Sequence, residues 1–127
     1  MAREDRRLPQ LAEERYLSLE TYRRTGQAVP TPVWFVVHRG TIYVYTLATA
    51  GKVKRIRNNP RVRIAPCDAR GRLKGAWVDA SARIVDENEA AQAHALLVAK
   101  YGWMKRVADL FRKLRPKPRA VIAIVLT

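Results

Sequence analysis

The sequence is short of acid, of cysteine and of long apolar runs. It has 11 acidic residues against 25 basic ones, a formal net charge of +14 over 127 residues. Such an excess points to an anionic partner, or serves only solubility. The lone cysteine, Cys67, excludes an internal disulfide framework and a cysteine-rich zinc site. The two histidines, His38 and His94, stand in no metal-ligand motif, so no metal is expected. No apolar run approaches the ~20 residues of a membrane-spanning helix. Residues 3–7 are charged and lack the apolar stretch of a signal peptide, so a cytoplasmic location is expected. Neither Gly-x-x-x-x-Gly-Lys-Ser/Thr nor Gly-x-Gly-x-x-Gly occurs, which sets aside P-loop and dinucleotide fingerprints.

What is present suits one globular domain over residues 1–127, with 48% apolar residues and enough length to bury a core. The charge is concentrated. Residues 52–74 hold nine basic side chains and one acid, and residues 105–119 hold seven and one. Elsewhere the charges nearly cancel.

The patterning predicts a mainly β, α+β chain. Residues 8–16 have helical spacing and predict a short leading helix. Strands are expected at 17–24, 28–38, 41–47, 61–67, 75–85 and 120–126. Pro30 and Pro32 put the first half of the second strand at an edge or a bulge. Arg39-Gly40 reads as a two-residue hairpin turn, and Asp68 to Gly71 as another turn. Val53 and Ile56 predict one short amphipathic helix from Lys52 to Asn58, stopped by Pro60. Asp86-x-x-Glu89 resembles a capping box, followed by a helix with Ala90, Ala93, Leu97 and Tyr101 on one face and Gly102 at its end. A second, basic helix is expected over 103–114. The apolar run from Ala120 to Leu126 predicts a strand covered on both faces. Six short antiparallel strands with flanking helices suggest a closed or nearly closed β-barrel.

The stretch from Tyr45 to Pro60 carries the most chemistry. A strand ends, small residues follow, and a basic helix begins at Gly51-Lys52. Free N–H groups at a helix start attract an anion. Gly51 permits close approach, Thr46 and Thr49 offer hydroxyls, and Lys52 and Arg55 share a face. This reads as a phosphate cradle; the same pattern also suits a solvated basic helix face without a ligand.

The residues Thr21…Gly26-Gln-Ala-Val-Pro-Thr-Pro-Val-Trp-Phe35, Tyr43-Val-Tyr-Thr46 and Gly51-Lys-Val-Lys-Arg-Ile-Arg-Asn-Asn-Pro-Arg-Val62 resemble the pyridoxamine 5'-phosphate oxidase-like FMN-binding split-barrel superfamily. Within it they resemble the actinobacterial deazaflavin branch, whose members use coenzyme F420. The resemblance covers about residues 11–127 and implies a six-stranded antiparallel split β-barrel. It implies a homodimer with the cofactor between subunits. FMN-dependent oxidases of the superfamily place Ser-Arg-Lys on the cofactor phosphate. Here those positions read Ala50-Gly51-Lys52, so Lys52 alone is kept. Two basic positions of the oxidases read Pro30 and Phe35. The deazaflavin branch is matched instead by Val29 to Trp34, whose backbone lies along the ring system. The implied cofactor residues are therefore Thr31, Pro32, Val33 and Trp34 along the ring, and Thr46, Thr49, Ala50, Gly51, Lys52, Lys54 and Arg55 at the phosphate and acidic tail.

The activity so implied is F420-dependent oxidoreduction: hydride transfer between the deazaflavin and an apolar or conjugated small molecule. FMN is the alternative cofactor. A non-enzymatic cofactor carrier and a basic nucleic-acid-binding barrel are the alternative functions, although no recognised nucleic-acid motif is present. Trp34, Tyr43, Tyr45 and Trp77 are candidate pocket walls or core residues. His38 and Tyr101 are candidate proton donors, with solvent as the alternative, and no catalytic residue is assigned. Cys67 reads as a small buried residue. The 105–119 block reads as a solvated helix, a lid over the cofactor's tail, or a contact for an acidic membrane surface.

Overall fold

The computed structural model describes residues 11–102 and 119–127. Among the described residues, seven strands and two complete helices follow one another: β1 (Tyr16–Tyr22), β2 (Ala28–Val33), β3 (Phe35–His38), β4 (Thr41–Leu47), α1 (Gly51–Asn58), β5 (Arg61–Cys67), β6 (Val78–Ile84), α2 (Glu87–Tyr101) and β7 (Arg119–Leu126). They form one antiparallel sheet in the order β2-β1-β5-β6-β7-β4-β3.

The sheet's two outer strands, β2 and β3, are consecutive in the chain and separated by Trp34 alone. The sheet therefore curls into a split barrel. The expected strand over 28–38 is correspondingly two strands, and the total is seven rather than six. The reason is a change of partner: Val33 is paired with Leu17 of β1, whereas Phe35 is paired with Val44 of β4. Pro30 and Pro32 lie on an edge strand, where a missing N–H costs no ladder bond.

Other expectations are met locally. Arg39 and Gly40 both have positive φ (50° and 79°), as a type I′ hairpin turn requires. Asp68 closes its turn by accepting from the backbone N–H groups of Arg70 and Arg72. Asp86 caps α2 by accepting from Glu89 N–H at 2.9 Å. The reciprocal half of the box is absent, because the Glu89 carboxylate accepts from Tyr43 and Arg83 instead. Gly102 caps α2 in a right-handed conformation, φ −59°. The leading helix ends sooner than expected: Leu11 and Ala12 are helical, but Tyr16 already belongs to β1. Residues 8–10 and the expected helix over 103–114 lie outside the described residues.

The main core fills the barrel with Leu17, Leu19, Phe35, Ile42, Ile122 and Ile124, all at 0% exposure. Each such side chain contributes roughly 1.5–3 kcal/mol by burial. Ile56 of α1 joins this core and Val53 beside it is buried, so the amphipathic helix is fixed on its apolar face and its basic face is left outward. A second cluster lies under α2, where Val36, Leu97 and Tyr101 pack with Trp34, Tyr43 and Tyr45. The β7 run is buried from Ala120 to Ile124, while Val125 is exposed. Among the described residues no helix is long and apolar enough to cross a membrane.

Candidate cofactor-phosphate site

β4 ends at Leu47, and a turn closed by Ala50 N–H on Leu47 carbonyl leads into α1. Ala50 is the N-cap and has no side chain able to cap the helix; no acid lies in the first turn. Thr49, Ala50, Gly51 and Lys52 are thus consecutive around an uncapped helix start, which leaves its N–H dipoles available to an anion.

Arg55 gives the start its shape. Its Nε donates to the Thr21 hydroxyl of β1 at 2.6 Å. Its guanidinium folds back along the helix, so a Cβ at Gly51 would stand 2.7 Å from Nη1. Burial pushes the Lys52 ammonium below its usual range, and the Arg55 charge lowers it further. Burial does the same to Arg55, helped by Arg23. Among the described residues no acid pairs with Arg23, Lys52, Lys54 or Arg55. Like charges held together without an acid are what a bound anion would relieve. A cleft of about 470 Å³ opens here, lined in part by Arg23, Arg24, Gly51, Lys54, Arg55 and Asn58.

Thr21, Arg23 and Arg24 are additions that sequence reasoning did not assign to the site. Their place depends on the β1–β2 hairpin lying beside α1, and no local pattern encodes that neighbourhood. Thr46, in contrast, is buried and continues the inward face of Ile42 and Val44, whereas Thr49 is exposed.

The segment Thr31–Trp34 reaches the same hairpin from its other end. Val29 is opposite Thr21, the residue that holds Arg55. Four residues farther lies Val33, about 13 Å along the strand at ~3.3 Å per residue. The side chains of this run do not converge. Thr31 is opposite Leu19 and Val33 belongs to the barrel core, Pro32 is exposed, and Trp34 packs under α2. What they share is one stretch of edge backbone. Two polar atoms on it, Thr31 Oγ1 and Trp34 Nε1, are buried without a hydrogen-bond partner among the described residues.

The candidate aromatic wall separates. Trp34, Tyr43 and Tyr45 pack together under α2, but Trp77 lies elsewhere, with the Arg63 guanidinium 5.0 Å from its ring centre. Tyr101 is 2% exposed, and its hydroxyl is bonded to the Phe35 and Arg15 backbone. Burial pushes it up to about 12, with the Phe35 hydrogen bond opposing. His38 ends β3 beside Thr41, at the opposite end of β4 from α1. His94 packs on Tyr45 with ring centres 5.3 Å apart. Burial and then Arg119 lower its pKa. Cys67 is buried as a free thiol. Among the described residues no group of three or more His, Cys, Asp or Glu side chains could hold a metal. The 105–119 block lies outside the described residues except for Arg119, which sits 5.7 Å from the Tyr45 ring centre.

Comparison with solved structures supports the architecture. A conserved hypothetical protein from Mycobacterium tuberculosis superposes with a TM-score of 0.72 at 23% identity, over 99% of this chain and 82% of its own. The heme storage protein HutZ from Vibrio cholerae gives 0.71 at 18% identity, over 99% and 92%. An F420 reductase gives 0.59 at 17% identity, over 93% and 91%. At these identities the likeness is one of fold. No curated protein matches the sequence. The family profile described as pyridoxamine 5'-phosphate oxidase matches residues 4–127, and the chain therefore belongs to that family.

Proposed function

We propose that the protein binds coenzyme F420 and transfers hydride between the deazaflavin and an apolar or conjugated small molecule. It works as a homodimer in the cytoplasm, with the cofactor between subunits. The carrying observation is the uncapped start of α1, where half-buried Lys52 and the folded-back Arg55 share a site and pair with no acid among the described residues. Family membership and the fold shared with an F420 reductase support the reading.

When bound, the deazaflavin supplies two-electron hydride chemistry. The chain's own residues bind, orient and shield. Lys52 and the α1 N–H groups hold the phosphate. Thr21 fixes Arg55 at its edge. Lys54 and Arg55, with Arg23 and Arg24 across the cleft, meet the carboxylates of the oligoglutamate tail. The β2 edge backbone would hold the ring, with Thr31 Oγ1 as a polar group for it. Trp34 and the α2 cluster keep water from the strand beneath. Tyr101 is committed to backbone groups and His38 lies at the far end of β4 from α1, so solvent supplies the proton.

FMN is the second reading, favoured by the family itself. Parallel titrations separate the two: coenzyme F420 fluorescence is quenched saturably at micromolar protein, and FMN binds more weakly. Tight FMN binding with no F420 quenching would reverse the order.

A further inference from the structure

At the split of the barrel two neighbouring strands part, and the backbone there needs partners from elsewhere. Phe35 is the first residue after the break. Its N–H donates to the Tyr101 hydroxyl at 3.2 Å. Its carbonyl accepts from the Tyr101 hydroxyl at 2.7 Å and from Lys100 Nζ at 2.9 Å. The same phenol is 2.9 Å from the carbonyl of Arg15, just ahead of β1. Its single proton is thus shared between two carbonyls on the two sides of the split. The Lys100 ammonium also stands 3.7 Å from the centre of the Phe35 ring. Two consecutive residues at the end of α2 therefore grip the backbone of Phe35 on both sides of its Cα, and the Trp34 ring, next to it in the chain, lies 6.1 Å from the Tyr101 ring.

We propose that Lys100 and Tyr101 are positioning residues for the ligand-facing edge: by clamping the two peptide groups that flank the Phe35 Cα they set the course of the Thr31–Trp34 backbone. The proposal rests on the cofactor reading for its consequence and on the clamp geometry for its cause. α2 thereby connects two parts of the protein. Its outer end is tied to the barrel through Glu89, Tyr43 and Arg83, and its inner end fixes the seam. Trp34 follows β2 directly, so a shift at Phe35 is passed to the edge through one residue.

The test uses the full chain and the variants Tyr101→Phe, Lys100→Met and Lys100→Arg. Coenzyme F420 and FMN affinities are measured under conditions where each variant is fully folded by circular dichroism. Amide exchange at Phe35 is followed by NMR without ligand. Losing hydrogen bonds of ~0.5–1.5 kcal/mol each predicts roughly two- to twelvefold weaker cofactor binding per bond in Tyr101→Phe and Lys100→Met. Phe35 exchange is expected to accelerate by a similar factor, and Lys100→Arg, which keeps donor and charge, restores both. A role confined to stability would lower the unfolding temperature yet leave the affinity of the folded protein unchanged, and that result overturns the proposal. Unchanged Phe35 exchange overturns it as well. If the wild type binds neither cofactor, the cofactor reading fails and takes the positioning role with it, even where the exchange data uphold the clamp.

Discussion

The Arg55 guanidinium occupies the space that a side chain at Gly51 would need, one turn earlier on the same helix: Nη1 lies 2.7 Å from the place of a Cβ. Gly51 is thus the residue that lets Arg55 fold back toward Thr21 and the helix start. Gly51→Ala should displace a flexible guanidinium rather than the backbone, so the fold should tolerate it. Fluorescence titration is expected to show cofactor affinity about tenfold lower, the scale of one charge-assisted hydrogen bond. Thermal melting is expected to be nearly unchanged. Unaltered affinity would remove Arg55 from the site.

Lys52 and Lys74 test whether position or charge alone matters. Lys74 pairs with Glu14 at 2.7 Å and is half exposed. Such a surface pair is worth only about 0–1 kcal/mol. Lys52→Ala is expected to weaken cofactor binding at least about tenfold, as the loss of a charged hydrogen-bond donor predicts, while Lys74→Ala has no effect. Equal losses would mean that the +14 charge acts as a general field. Nucleic-acid binding makes a separate prediction, a DNA affinity that falls steeply with log salt.

Glu20 is a buried carboxylate on β1, 4% exposed. Its Oε1 accepts from Arg63 Nε and from the Tyr22 hydroxyl, each at 2.8 Å. Burial pushes its pKa up, but the Arg63 and Tyr22 hydrogen bonds outweigh burial and the net shift is downward. Glu20→Ala leaves both donors without their acceptor and should cost about 1–3 kcal/mol of stability in urea unfolding. The lowered pKa means that the wild type keeps this contribution above the ordinary carboxylate range and loses it as pH falls through the folded value. Glu20→Gln should therefore lower stability near neutrality and flatten its acid dependence.

The α2 end gives an alkaline signature. Burial lowers Lys100 to about 8 from 10.5, against the opposing charge of Glu14. Between those values the unfolded chain holds more protons, so stability rises with pH. Lys52, shifted in the same direction, adds to the rise. Tyr101, at about 12, acts oppositely: above about pH 10 the unfolded chain loses a proton the fold retains, and stability falls. Melting temperature is expected to climb from pH 8 toward 10 and decline beyond it. Lys100→Gln should flatten the climb, and Tyr101→Phe should soften the decline. A profile identical in all three proteins would contradict this assignment.

Much of the fold and part of the site were legible in the chain. Alternation of Ile42, Val44 and Thr46 with Tyr43 and Tyr45 predicted β4. Val53 and Ile56 predicted which side of α1 is buried. Arg39-Gly40 predicted its hairpin, and Asp86 its cap. The basic start at Gly51-Lys52 was visible as a candidate anion cradle. These features depend on residues within a few positions of one another, where steric preference and apolar spacing act directly.

The split at Trp34 was decided elsewhere. Residues 28–38 have strand character throughout, and the break arises because β1 claims Val33 while β4 claims Phe35. The same holds for Arg55 on Thr21, 34 residues apart, and for Tyr101 on Phe35, 66 residues apart. Sequence alone determined which segments are extended or helical and where positive charge collects, because local backbone and side-chain energies suffice for that. Only the split barrel decided which strand edges meet, which cations share a cleft and which polar atoms are left without partners. Those outcomes depend on how non-local hydrogen bonds and buried surfaces are satisfied together.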